Sequence, residues 1–234
     1  MALYQFKSYG NTVNPNKLII FIHGYKSSMD EISAEAALLA ILLKQAVIIT
    51  PQSNKTHKNN KIRYWYNVSD YDVGHKRRNP ETPLNEIVDI YNAAGEQLSQ
   101  QAAEMNTFID EMQQIFKIDD ENTYIAGFSQ GAMMAIYTAL SRHNTIGGCF
   151  ALSGIVAGKD CLEKELRSKP KVYMLHGKED ITVQYKTLDF SIDWLQKHNV
   201  LAEGLRYSNL AHKITHSEIE LIAKVVNKNG QKYP

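Results

Sequence analysis

The chain has 234 residues, 44% of them hydrophobic and 22% charged, and its 26 basic side chains stand against 25 acidic ones. That length suits one large or two small domains and suffices to bury a core without staples. A formal net charge of +1 argues against a nucleic-acid partner, which calls for a clear basic excess. The two cysteines, Cys149 and Cys161, make neither a disulfide framework nor a zinc module, and reduced thiols suit the cytoplasm. Residues 1–10 alternate polar and apolar types without a signal-peptide core, and the longest apolar stretch, 36–43, cannot span a bilayer. The expectation is a soluble cytoplasmic protein with no stable membrane insertion.

Taken in chain order, residues 3–9 alternate and suit an edge or antiparallel strand. The run LIIFI at 18–22 is apolar throughout, as in a strand buried on both faces of a parallel sheet. Similar runs follow at 46–49, 123–126, 149–152 and 172–175, with a less regular one at 202–207. Helical periodicity is expected over 32–43, 131–140, 185–196 and 217–226. The longest helical pattern carries Ile87, Tyr91, Ala94, Leu98, Ala102, Met105, Ile109, Met112 and Phe116 on one face, with Gly95 the place for a break. Before it, Thr82 reads as an N-cap and Pro83 as the first helical residue. Strands alternating with helices imply an α/β fold, a mostly parallel sheet with helices on both faces, and a single domain over residues 1–234.

The segment 53–80 breaks the pattern. Lys55, Lys58, Lys61, Arg63, Lys76, Arg77 and Arg78 outnumber Asp70 and Asp72 there. It reads either as a solvated excursion over the surface or as a flap beside the active site that meets anionic groups. Within it, Tyr64, Trp65 and Tyr66 are expected to pack inward.

The strongest chemical signal is Gly127-Phe128-Ser129-Gln130-Gly131, placed where the 123–126 strand ends and the 131–140 helix begins. A G-x-S-x-G turn between strand and helix is the nucleophile elbow; its glycines clear space for a strained turn that lifts the serine above the sheet. The helix N-terminus then favours developing negative charge. A serine nucleophile needs a base, and the base an orienting carboxylate, here expected in the order acid then histidine. Asp180 lies just past the 172–175 strand, with Glu179 as its alternative and Asp160 a distant third. Among eight histidines, His212 follows the last strand-like run in a loop that can reach Ser129. Its rival His216 falls in the first turn of the final helix, after a capping box of Thr215 and Glu218. His176 and His23 read as structural, and His57, His75, His143 and His198 as surface residues. The two oxyanion donors are expected to be the backbone N–H groups of Gln130, after the nucleophile, and Tyr25, after the 18–22 strand.

The motifs FIHGY (21–25), RYWYN (63–67), IAGFSQGAMMA (125–135), LHGKED (175–180) and AHKITHSEI (211–219) together resemble the phospholipase/carboxylesterase family of α/β-hydrolases, which includes acyl-protein thioesterases. The resemblance spans nearly the whole chain and implies the α/β-hydrolase fold, a Ser129, Asp180 and His212 triad, and oxyanion donors from Tyr25 and Gln130. It further implies hydrolysis of carboxylic esters or thioesters, lysophospholipids included, with no cofactor; no metal is expected either, because no His, Asp or Cys grouping has a ligand-like spacing. Dimers are common among such esterases, so a homodimer is within expectation. Trp65 and Tyr66 with Tyr25 are expected to line a partly aromatic pocket that favours compact acyl groups. The chain departs from the family pattern at Tyr25-Lys26-Ser27, at Ile181-Thr182-Val183 and at Ala211. Two other functions use the same residues: an inactive binding protein on this fold, and a peptidase or acyltransferase.

Overall fold

A computed structural model describes residues 3–57 and 62–229; Lys58 and Lys61 of the basic segment lie outside them. Seven strands form one sheet in the order β1-β3-β2-β4-β5-β6-β7. They are β1 (Phe6–Gly10), β2 (Lys17–Ile22), β3 (Ala46–Pro51), β4 (Thr123–Phe128), β5 (Gly148–Leu152), β6 (Val172–Gly177) and β7 (Ala202–Tyr207). Only β1 runs antiparallel, against β3 at the sheet edge; its Phe6 and Tyr9 are half-buried against the two core layers and Lys7, Ser8 and Gly10 are exposed.

Inside β2 the two-residue period splits the core into two layers. Leu18, Ile20 and Ile22 face α2 (Leu84–Asn92), α3 (Gly95–Phe116), α4 (Gln130–Ser141), α5 (Lys159–Glu165) and α6 (Thr187–Lys197). Ile19 and Phe21 face α1 (Ser33–Leu42) and α7 (His216–Asn229). Helices therefore cover both faces, as the alternating pattern implies. No helix among the described residues is long and apolar enough to cross a membrane.

The long helical pattern breaks at the expected place, into two helices interrupted between Asn92 and Gly95. A Cβ on Gly95 would lie 2.8 Å from the Cys161 sulfur, so α3 begins in close contact with α5. Other expectations are corrected in detail. Pro83 rather than Thr82 occupies the N-cap of α2, and no side chain caps it. The short α5 was not expected, because seven residues carry too little periodicity to register. His57 and His198 are half-buried rather than surface residues: His57 packs on Tyr64 at 4.6 Å between ring centroids, and His198 stacks on Trp194 at 4.0 Å.

Within 62–80, short 3-10 turns at Val68–Tyr71 and Val73–Arg78 replace regular structure. Trp65, Tyr66, Val68, Asp72 and Arg77 are buried, so the segment is not a purely solvated excursion.

Packing is tight where β4 turns into α4. A Cβ on Gly131 would sit 2.2 Å from the Ile22 carbonyl oxygen and 2.6 Å from that of His23; one on Gly127 would sit 2.1 Å from the Gly131 oxygen. Both glycines are thus required by backbone-to-backbone contact. Gly131→Ala should destabilise the fold by about 2 kcal/mol or more, the upper range of overpacking, because a backbone carbonyl cannot rotate away. Thermal unfolding should register this as a fall in Tm of about 4–8 °C.

Candidate active site

Ser129 occupies the turn between β4 and α4 with φ 55 and ψ −117, a left-handed region that L-residues rarely adopt. Its N–H donates to the Leu152 carbonyl at 2.9 Å, which ties the turn to the end of β5. Gln130 is the first residue of α4, so its N–H is among the donors left without an intrahelical acceptor. Tyr25 follows the end of β2, and both residues line the cavity that holds Ser129.

The loops after β6 and β7 meet beside Ser129. A Cβ on Gly177 would lie 2.0 Å from the Leu210 carbonyl oxygen, so only glycine lets the two loops close. Glu179 N–H then donates to that same carbonyl at 3.0 Å, while its side chain stays exposed. Asp180 turns inward. Its Oδ1 accepts the backbone N–H groups of Thr182 (2.9 Å) and Val183 (3.0 Å). Its Oδ2 lies 2.7 Å from His212 Nδ1, and His212 Nε2 lies 2.9 Å from Ser129 Oγ.

Burial of Asp180 works to raise its pKa, but hydrogen bonds and charge interactions from His176 and His212 outweigh it and hold the carboxyl well below the ordinary range. The carboxylate is therefore an acceptor, His212 Nδ1 carries the proton between them, and the Nε2 lone pair faces the serine hydroxyl. Phe128 packs on the His212 ring at 4.7 Å and limits its swing.

The structure brings Ser129, His212 and Asp180 together and leaves their rivals apart. His216 is exposed and pairs with Glu220 at 3.4 Å on the surface of α7. Thr215 N–H and Oγ1 both donate to Glu218 at 2.8 Å, the return half of the expected capping box. Asp160 starts α5 and accepts from Asn92 at 2.8 Å. His176 is fully buried; its Nε2 donates to the Val183 carbonyl at 2.8 Å and lies 3.4 Å from Asp180 Oδ2.

Trp65 does not line the cavity, contrary to expectation. It is completely buried, with Nε1 donating to the His23 carbonyl and its backbone N–H to Gln130 Oε1, both at 2.8 Å. Gln130 Nε2 in turn donates to the Tyr66 carbonyl at 2.6 Å. The Gln130 side chain thus fastens the 65–66 backbone beside Ser129, and Trp65 serves as filling behind it. Tyr66 does reach the cavity and donates to the Met133 sulfur at 2.7 Å.

The cavity has a volume of about 500 Å³. Sequence reasoning did not place Arg77 and Arg78 on its lining, together with Val68, Tyr91 and Met133; only their membership of a basic segment pointed that way.

His23 shapes the loop that carries Tyr25. Its Nε2 accepts Ser53 N–H at 3.2 Å, which leaves the proton on Nδ1 to donate to the Gly24 carbonyl at 2.8 Å. Burial lowers its pKa from 6.5 to about 4, against the opposing pull of the Gly24 hydrogen bond. A histidine depressed in the fold binds a proton first when unfolded, so its contribution is complete above pH 6.5 and lost as pH falls towards 4. Denaturant titrations should show about 3 kcal/mol of stability lost across that window. His23→Asn should flatten this part of the profile.

The family model described as phospholipase/carboxylesterase matches residues 10–230. The acyl-protein thioesterase 1 homolog 1 of Dictyostelium discoideum is 33% identical over 114 residues, 48% of this chain and 50% of that protein. The acyl-protein thioesterase 1 of Aspergillus fumigatus is 30% identical over 130 residues, 53% of each. The chain thus spans about half the length of these relatives. Esterase PE8 superimposes with a TM-score of 0.79 at 19% identity, covering 96% of this chain and 97% of that one. SOBER1 of Arabidopsis thaliana gives 0.76 at 20% identity, covering 92% and 100%. These likenesses show the α/β-hydrolase fold.

Proposed function

The chain belongs to the phospholipase/carboxylesterase family, and from that premise we propose that it is a serine hydrolase cleaving carboxylic esters or thioesters through an acyl-enzyme. The observation that carries this reading is the continuous hydrogen-bonded series from Asp180 Oδ2 through His212 to Ser129 Oγ, at 2.7 and 2.9 Å. Relatives are named carboxylesterase and acyl-protein thioesterase, which agrees with the reaction class.

In the first step Ser129 Oγ attacks the acyl carbonyl while His212 Nε2 takes the hydroxyl proton, and the Asp180 carboxylate stabilises the imidazolium. The carbonyl oxygen becomes an oxyanion between the N–H groups of Tyr25 and Gln130. Collapse breaks the ester or thioester bond, and the alcohol or thiol leaves with the proton from His212. Water then attacks the acyl-enzyme with His212 as base, releasing the acid and restoring Ser129. No cofactor enters this sequence. The reading takes the chain as one catalytic domain, and the free thiols Cys149 and Cys161 agree with work in the cytoplasm.

Ester hydrolysis by Ser129→Ala should fall about 10⁴-fold or more, and covalent labelling by a fluorophosphonate should disappear while thermal unfolding stays cooperative. A folded Ser129→Ala protein that retains near-wild-type turnover would sink the assignment. Labelling also separates this reading from an inactive binding protein, which would not react.

The cavity, about 500 Å³, has the bulky side chains of Tyr66, Val68 and Tyr91 in its lining, so compact acyl groups fit it better than long chains. Across p-nitrophenyl esters, kcat/KM should peak at short acyl groups and decline by about tenfold towards palmitate, since binding then leaves methylenes exposed. A steady climb with chain length would count against this pocket.

A further inference from the structure

Arg77 is 8% exposed, yet it lines the cavity that holds Ser129. Asp72 fixes one edge of it: Asp72 Oδ2 lies 2.8 Å from Arg77 Nε, and Asp72 Oδ1 accepts the Arg77 backbone N–H at 3.1 Å. The group lies against Tyr91, its central carbon 5.9 Å from the ring centroid. Among the described residues no second carboxylate pairs with Arg77, so its Nη edge meets no acidic partner. Arg78 is exposed, lines the same cavity, and forms no ion pair among the described residues.

Arg77 thus has one carboxylate partner and Arg78 has none among the described residues, and Tyr66, Val68, Tyr91 and Met133 line the cavity with them. A plain hydrocarbon acyl chain laid on that surface would strip water from an uncompensated positive charge, which costs free energy. An anion there would instead receive charge-assisted, fork-shaped hydrogen bonds.

The segment is also held in place for the purpose. Gln184 Nε2 donates to the carbonyls of Arg77 (3.0 Å) and Asn79 (2.8 Å), and Lys186 Nζ to those of Pro80 (2.9 Å) and Thr82 (2.6 Å). Arg77 and Arg78 are thus pinned to the loop that carries Asp180, so little ordering remains to be done on binding. The remaining charges around the cavity are Lys26 and Lys213, and Glu31 and Glu35 at the start of α1.

We propose that the substrate is an anionic ester or thioester, whose carboxylate or phosphate docks on Arg77 and Arg78 while Ser129 attacks the scissile carbonyl. This rests on the serine-hydrolase reading for its chemistry, but the anion site is defined by its own residues. The reaction is unchanged: water enters, and the acid and the alcohol or thiol leave.

The test compares matched methyl esters by pH-stat, monomethyl glutarate against methyl valerate, which places the charge on the acyl arm. A second pair, O-butyrylglycolate against its methyl ester, places it on the alcohol arm. One pair should show kcat/KM at least about tenfold higher for the anionic member at low salt, and the responding pair identifies the arm. Arg78→Gln should reduce that ratio towards one and Arg78→Glu should invert it; Arg77→Lys, which keeps the charge but loses the fork, should reduce it partially. Ratios at or below one in both pairs, with esters still turned over, overturn the proposal and leave the hydrolase reading standing. Calorimetric binding of monomethyl glutarate and dimethyl glutarate to Ser129→Ala reads the site without turnover. Tighter binding of the monoanion, weakened by Arg78→Gln, supports the anion site even if no ester is hydrolysed. Equal binding of the two, together with equal rates, refutes it.

Discussion

At Ser129 the backbone is held at φ 55 and ψ −117, a conformation that costs about 1–3 kcal/mol and persists only where its surroundings enforce it. The enforcement is packing of backbone on backbone. Gly131 lies against the carbonyls of Ile22 and His23, and Gly127 against the carbonyl of Gly131. This draws the start of α4 onto the end of β2, so that the loop after β2 and the first turn of α4 face each other across the serine. The pairing of β2 with β4, with Ile22 opposite Gly127, sets the register that makes the approach possible.

A second layer of fixed contacts surrounds this turn. The Gln130 side chain grips the Trp65 N–H and the Tyr66 carbonyl, and Trp65 Nε1 bonds the His23 carbonyl. His23, neutral because it is buried, holds Gly24 and Ser53 together. Across the cavity, Gly177 lets the loops after β6 and β7 touch, so that Asp180 and His212 arrive at hydrogen-bonding distance. These contacts fix the backbone around Ser129 and His212, and in the proposed reaction small displacements there would be costly to rate.

The same logic extends to the proposed specificity. The segment between β3 and α2 carries buried Tyr66, Val68 and Arg77 to the cavity, and its end is fastened by Gln184 and Lys186. A cavity of this kind, whose aromatic and aliphatic lining is interspersed with charged side chains, would select through where polar groups converge rather than through hydrophobic area alone.

Much of this was legible in the sequence. The continuous apolar runs at 18–22, 46–49 and 172–175 announce strands buried on both faces, and Gly127-Phe128-Ser129-Gln130-Gly131 announces the turn, because local sterics act within a few residues. The positions of Asp180 and His212 after strands followed from the same local signals. What only tertiary structure decided depends on residues far apart in the chain. Whether Trp65 or Tyr66 reaches the cavity turns on the Gln130 clamp across 64 and 65 positions. What Gly95 packs against, the Cys161 sulfur, is likewise a residue far along the chain. The role of the 53–80 segment turns on Gln184 and Lys186 more than a hundred positions away. Periodicity and turn chemistry record which face of an element is apolar, but not which distant carbonyl or carboxylate will meet a given side chain. That is set by how the sheet brings its loops together.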